Sequence, residues 1–224
     1  MGITKEDAIG IAIKEAKAYK RELANSVLLI IYKDRQDNVI KALELEFQPH
    51  NYQHLTGLQL MRTDKETGKR TVREHRALEF YRRCTDKPYI TPGEIEFENQ
   101  NTIDLKMTAL PYITQITKIT KMAGKYDASS KEKLVADYII GGENSCIGIS
   151  KNIGNDRYYP RSCLKENIKK ITEYTSQVLA IFQKPLKATG VYSKIRYVAK
   201  GVNLRSITFP DEIQKLLSLE YYDK

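Results

Sequence analysis

The sequence predicts an α+β protein whose strands pair mainly antiparallel. Three observations lead there. The first residues carry apolar side chains at helical spacing. The strand-like runs then come in groups, two early and the rest in the last hundred residues, instead of alternating strictly with helices. And 224 residues with 41% hydrophobic content can build a core without disulfides or metal.

Taken in order, Thr4 can cap a first helix, with Asp7 three residues on and Ile9, Ile13, Ala16, Tyr19 and Leu23 at helical intervals. Residues 26–32 are a β-rich run and 34–38 a polar turn. Leu43, Leu45 and Phe47 then alternate with Glu44 and Glu46 as in a half-buried strand, so a hairpin packs under the helix. The middle third reads as helical over 71–83, with Val72, Leu78, Phe80 and Tyr81, and over 103–119, with Pro111 a boundary or kink. Pro88, Pro92 and Gly93 break the chain between them, and 124–130 is a polar loop. Later strands are expected at 134–140, 146–149, 178–182 and 194–199. Pro210 opens a last helix with Ile213, Leu216 and Leu217 on one face. One domain over 1–224 is expected, divided into a helix and hairpin (1–60), a helical middle (70–125) and a C-terminal sheet with its last helix (131–220).

The longest apolar run, 27–31, is too short to span a bilayer, and the N-terminus opens on Lys5, Glu6 and Asp7 without an apolar leader core. A cytoplasmic protein is expected. Cys84, Cys146 and Cys163 are widely spaced and form no CxxC pair, which excludes a full disulfide framework and argues against zinc. They read as buried thiols, with a cysteine nucleophile as the alternative. There is no P-loop, no GxGxxG after a strand and no GxSxG elbow, so neither nucleotide-dependent phosphoryl transfer nor dinucleotide redox is expected, and no cofactor is.

The net charge of +9 is confined to one quarter of the chain. Residues 151–205 hold 12 Lys or Arg against Asp156, Glu166 and Glu173, while the remainder is neutral. Tyr158, Tyr159, Tyr174, Tyr192 and Tyr197 are interleaved with those cations. Basic groups for phosphates and aromatic faces for stacking suit single-stranded nucleic acid; a solvated, soluble surface is the other reading.

His50, His54 and His75 fall within one stretch of 26 residues. His54 follows a strand directly and stands beside Thr56 and Gly57, where the chain must turn and can present an imidazole to a cleft. The alternative is a turn histidine bonded to backbone. His50 and His54 are four apart, yet Pro49 and the Thr-Gly pair disfavour a metal-binding helix there, and no metal is expected. His50 or His75 could partner His54 only where folding brings either close. His75, between Glu74 and Arg76, reads as part of a solvated helix face.

Phe47 with His54-Leu55-Thr56-Gly57, Lys131-Glu132-Lys133-Leu134 leading to Ile140-Gly141, Cys146-Ile147-Gly148, Tyr159-Pro160, and the tail 178–184 with 195–201 together resemble a phage- and prophage-associated nuclease family grouped with the barnase, EndoU, colicin and RelE-like fold. The likeness runs over about residues 3–217, and the His-Leu-Thr-Gly element is its most specific motif. Arg161 departs from the pattern, where a small polar residue such as Asn is expected.

The resemblance implies helices packed on a curved antiparallel sheet, with single-stranded RNA laid across it and cut without metal inside a bacterial host. A toxin-like role, with an antitoxin or host protein as partner, is compatible with it. Cleavage through the 2′-OH needs a base, an acid and a cation for the charge growing on phosphate. On that basis His54 is the base or acid, and Thr56 bonds the phosphate or orients the ring. Lys131, Arg157 and Arg161 are phosphate cations, and Tyr158 or Tyr159 is a stacking face or second proton carrier. Lys184, Arg196 and Lys200 extend the nucleic-acid contact. The competing class is a phage protein that binds nucleic acid or a host or defence protein without cutting.

Overall fold

The computed structural model describes residues 2–64, 66–72, 76–86, 88–100 and 102–218. Helix α1 (Lys5–Glu22) starts where the Thr4 hydroxyl accepts the Asp7 N–H at 3.1 Å, and carries Lys20 and Arg21 in its last turn, where cations suit the carbonyl end. Its stripe of Ala8, Ala12, Ala16 and Tyr19 is fully buried. The hairpin follows as β1 (Ser26–Lys33) and β2 (Ile40–Phe47).

β1 is buried on both faces. Leu28, Ile30 and Tyr32 join the core with α1, while Val27, Leu29 and Ile31 are covered by Phe209, Ile213 and Leu217 from the end of the described chain. That double burial explains an unbroken apolar run where a one-sided strand would alternate.

After β2 come α2 (Asn51–Thr56), β3 (Leu58–Thr63), β4 (Arg70–Val72), α3 (Ala77–Thr85), β5 (Ile95–Phe97), α4 (Ile103–Ile113) and α5 (Ile116–Ile119). The chain then runs through β6 (Met122–Lys125), β7 (Tyr138–Gly141), β8 (Cys146–Lys151), β9 (Tyr158–Leu164), β10 (Ser176–Pro185), β11 (Lys194–Val198) and α6 (Asp211–Gln214). The order β1-β2-β9-β8-β7-β6-β10, with β10 pairing back onto β1, closes a seven-stranded barrel; β11 hangs on the second half of β10. β3, β4 and β5 make a separate small sheet.

Mixed α and β structure agrees with the expectation, and the curved sheet turns out to be a closed barrel. All its pairings are antiparallel except β2 with β9. Several element boundaries need correcting. The expected helix over 71–83 is strand β4 followed by α3, and His75 lies outside the described residues. The expected helix over 103–119 is two helices, with Pro111 inside α4, not at its boundary. Gly124 and Lys125, placed in a loop, belong to β6, and the strand expected over 134–140 begins only at Tyr138. β9 was not anticipated at all. The three cysteines are free and buried, and burial pushes their thiols up to about 12, far from thiolate character. Among the described residues no helix is long and apolar enough to cross a membrane.

Candidate active site

The end of β2, α2, α4 and β9 surround a cleft of about 430 Å³. The chain leaves β2 through residues 48–50, where the Gln48 N–H donates to the Asn51 side chain at 2.8 Å. Tyr52 then fixes α2 to α1: it is buried, and its hydroxyl donates to the Ala12 carbonyl at 2.6 Å. Its ring sits 5.1 Å from Tyr19 and 5.9 Å from Tyr81, an aromatic cluster that holds the short helix in place. With Tyr52, Leu55 and Thr56 committed to the interior, His54 is turned toward the cleft.

The rest of the His-Leu-Thr-Gly element has a mechanical explanation. Thr56 is fully buried; its hydroxyl donates to the Gln53 carbonyl at 2.7 Å and accepts the Leu58 N–H at 3.1 Å, closing the helix end. Gly57 is left-handed (φ +69°), and a Cβ there would meet Lys106 Cδ at 2.8 Å. Lys106 therefore lies across the glycine and reaches Glu98 at 2.8 Å, while the Glu98 N–H donates to the Gly57 carbonyl at 2.8 Å. One tetrapeptide thus presents a histidine and seats the Lys106–Glu98 pair beside it.

The protein mass around the ring pushes His54 below the ordinary histidine value. Glu98 opposes that shift, whereas Arg161, His50 and Lys106 add to it. The shift favours the neutral imidazole, and the side chain is exposed to solvent.

β9 supplies the opposite wall. Gly148 faces Ser162 and Ile149 faces Pro160, so Arg161 is an extra residue, a β-bulge that re-aims its side chain. Pro160, lacking an N–H, suits such a break in the ladder. Arg161 donates to the Tyr159 hydroxyl at 2.8 Å, and both line the cleft. Two residues on, the Cys163 thiol donates to the Leu55 carbonyl at 3.3 Å and ties β9 to α2. The other cleft cations have carboxylate partners, Lys106 with Glu98 and Lys151 with Asp156 at 3.0 Å; Arg161 has none among the described residues.

Sequence reasoning missed Glu46. Strand alternation put it on the outer face with Glu44, but the 152–157 turn folds over it and leaves it 2% exposed. Its carboxylate accepts from Asn152 at 3.0 Å and Gln48 at 3.1 Å, and stands 3.9 Å from Arg157. No local signal could have found this, because the covering residues lie about a hundred positions away. Lys106, Glu98 and Lys151 were missed for the same reason.

Of the anticipated site residues, His54, Arg161 and Tyr159 share the cleft. Tyr158 points the other way, packing edge-to-face on Tyr138 at 5.6 Å. Lys131 is exposed in the segment before β7, where its charge acts on Glu166. Arg157 bridges Glu46 and Glu44, the latter at 3.7 Å. Lys184 and Arg196 line a second groove, and Lys200 is exposed in the turn after β11. Among the described residues no three His, Cys, Asp or Glu side chains group as metal ligands.

The model of the phage-Barnase-EndoU-ColicinE5/D-RelE like nuclease 4 family matches residues 13–198. The chain belongs to that family. The match spans α1 through β11 and so contains every cleft residue named above. Neither a curated protein nor a solved structure matches the chain. What it carries is a nuclease-family domain.

Proposed function

We propose that the protein is an endoribonuclease of phage or prophage origin, a toxin-like enzyme that cuts single-stranded RNA by 2′-OH transesterification without metal. The observation that carries this is His54, held below the ordinary histidine value, sharing a cleft with an Arg161 guanidinium that no carboxylate claims among the described residues. His54 takes the 2′-OH proton as base, and the 2′-oxygen attacks the adjacent phosphorus. Arg161, with Lys106 and Lys151 close by, balances the charge on the non-bridging oxygens. The Tyr159 hydroxyl accepts from Arg161 and keeps its own hydrogen to give to the departing 5′-oxygen. Glu46 holds the 152–157 turn over the cleft through Asn152. The products are a 2′,3′-cyclic phosphate and a 5′-hydroxyl, and DNA is inert for want of the nucleophile.

A second reading, a non-catalytic phage protein covered by a host or defence protein, draws support from Ile153, an apolar side chain fully exposed at the lip of the cleft. Both readings meet one test: mixed cellular RNA incubated in excess chelator with the protein and with His54→Ala. Cleavage that survives chelation and falls about 10²–10⁴-fold in the variant supports the nuclease. RNA left intact by the wild-type chain sinks it in favour of the binding protein.

A further inference from the structure

Asn51 opens α2 one turn before His54. Residues three apart on a helix share a face, with Cβ atoms about 5–6 Å apart. Tyr52, Leu55 and Thr56 are turned inward, so the face left to line the cleft carries Asn51 and His54.

Asn51 is only 4% exposed, and one hydrogen bond sets its side chain: the Gln48 N–H donates to Oδ1 at 2.8 Å. An N–H can meet only the oxygen of a side-chain amide, so this bond also fixes which way the amide is turned. Nδ2 faces away from Gln48. It has no hydrogen-bond partner among the described residues, yet it is not sealed from solvent, and the solvent that reaches it is in the cleft. Buried amides are normally bonded at both ends, because an unmet donor is costly inside a protein. A donor held in that state at a cleft wall is set for a ligand's acceptor.

The donors around it are charged. Beyond the desolvation that sets its value, Arg161 and Lys106 push His54 lower, so each added cation weakens the base. An amide can hold an anionic oxygen without that effect. Arg161 comes from β9 and Asn51 from α2, and a phosphodiester lying between these elements offers two non-bridging oxygens.

We propose that Asn51 is a further catalytic residue, whose Nδ2 donates to one non-bridging oxygen of the scissile phosphate while Arg161 takes the other. This rests on the nuclease reading of the cleft. As the 2′-oxygen attacks, charge grows on both oxygens, and a neutral donor already fixed by the backbone strengthens its bond without turning. Asn51 moves no proton.

The test uses a 20-mer RNA of mixed sequence in excess chelator. Asn51→Asp replaces the NH2 by oxygen while the other oxygen still accepts from Gln48. The urea midpoint should hold, and cleavage should fall about 10²–10³-fold. The new carboxylate also raises the His54 pKa, an effect that high pH removes, so recovery of the wild-type rate by about pH 9 overturns the proposal. A second measurement places one sulfur, a poor acceptor, on the phosphate at the cut bond. In the diastereomer whose sulfur faces Asn51, the wild type should slow at least tenfold, and neither Asn51→Asp nor Asn51→Ala should slow further. Variants slowed as much as the wild type by both diastereomers overturn it too. Binding of the uncleavable 2′-O-methyl 20-mer separates the two readings. RNA left intact by the wild type, with weaker binding by Asn51→Ala, defeats the nuclease and leaves Asn51 a phosphate donor. RNA cut equally by wild type and variants defeats only the role of Asn51, and a wild type that neither cuts nor binds defeats both.

Discussion

β1 and β9 belong to one barrel and are held in it by different means. β1 is matched over eight positions to β2 and over eight to β10, with both of its faces buried. β9 meets β2 through a single parallel pair, Leu45 with Tyr158, and the rest of that seam is side chains: Asn152 on Glu46, and Arg157 between Glu44 and Glu46. The cleft lies along the second seam. Backbone ladders build the wall, and polar side chains, free of ladder duty, build the site.

Substitutions in the two regions should therefore fail in different ways. The largest expected effect is on the seam side: Arg161→Ala should lower RNA cleavage about 10²–10³-fold, as loss of one charge-stabilising donor does, with the urea midpoint unmoved. A matching fall in stability would mean the bulge is structural and would erase the contrast. On the wall side, Ile30→Ala should cost about 2–5 kcal/mol in urea unfolding while each folded molecule keeps its cleavage rate.

Gly57→Ala belongs to both regions. The left-handed backbone should cost about 1–2 kcal/mol, and the Cβ must also displace Lys106, so cleavage should fall further than stability alone explains. pH separates the regions again. His54 is depressed below the ordinary histidine value, so its base form prevails above about pH 6.5; the rate should fall only as pH drops through its lowered value, tenfold per unit. That acid limb should vanish in whatever residual activity His54→Ala retains. The smallest effect is expected from Glu46→Gln, less than tenfold, since the amide oxygen can still accept from Asn152. A loss equal to that of His54→Ala would make Glu46 the base.

The same division governs what could be read without a structure. α1, β1 and β2 carry their signals locally, in cap, apolar period and turn, and are found where expected. β9 reads Tyr-Tyr-Pro-Arg-Ser-Cys-Leu; its proline and arginine weaken any strand pattern, and only pairing with β8 makes it one. In the site, His54 drew notice by standing soon after a strand beside Thr56 and Gly57, though the segment expected to be a turn is helix α2. Thr56 misled because a hydroxyl near a histidine looks the same whether it faces a ligand or ties off a helix. Glu46 was hidden because alternation reports the face of a strand and says nothing of a distant turn that later covers that face.

The lone Leu45–Tyr158 pair has a consequence for how the molecule comes into being. It closes a loop running from residue 46 to 157, and the partner that zips along β1 arrives only with residues 176–185. Such distant contacts carry the largest loop-closure entropy and form late. A chain emerging from the ribosome holds His54 long before Arg161 can face it, and a chain stopped at residue 175 should be inert toward RNA. Under the RNA-cleaving function proposed above, the message being read is spared until residues 176–185 have emerged.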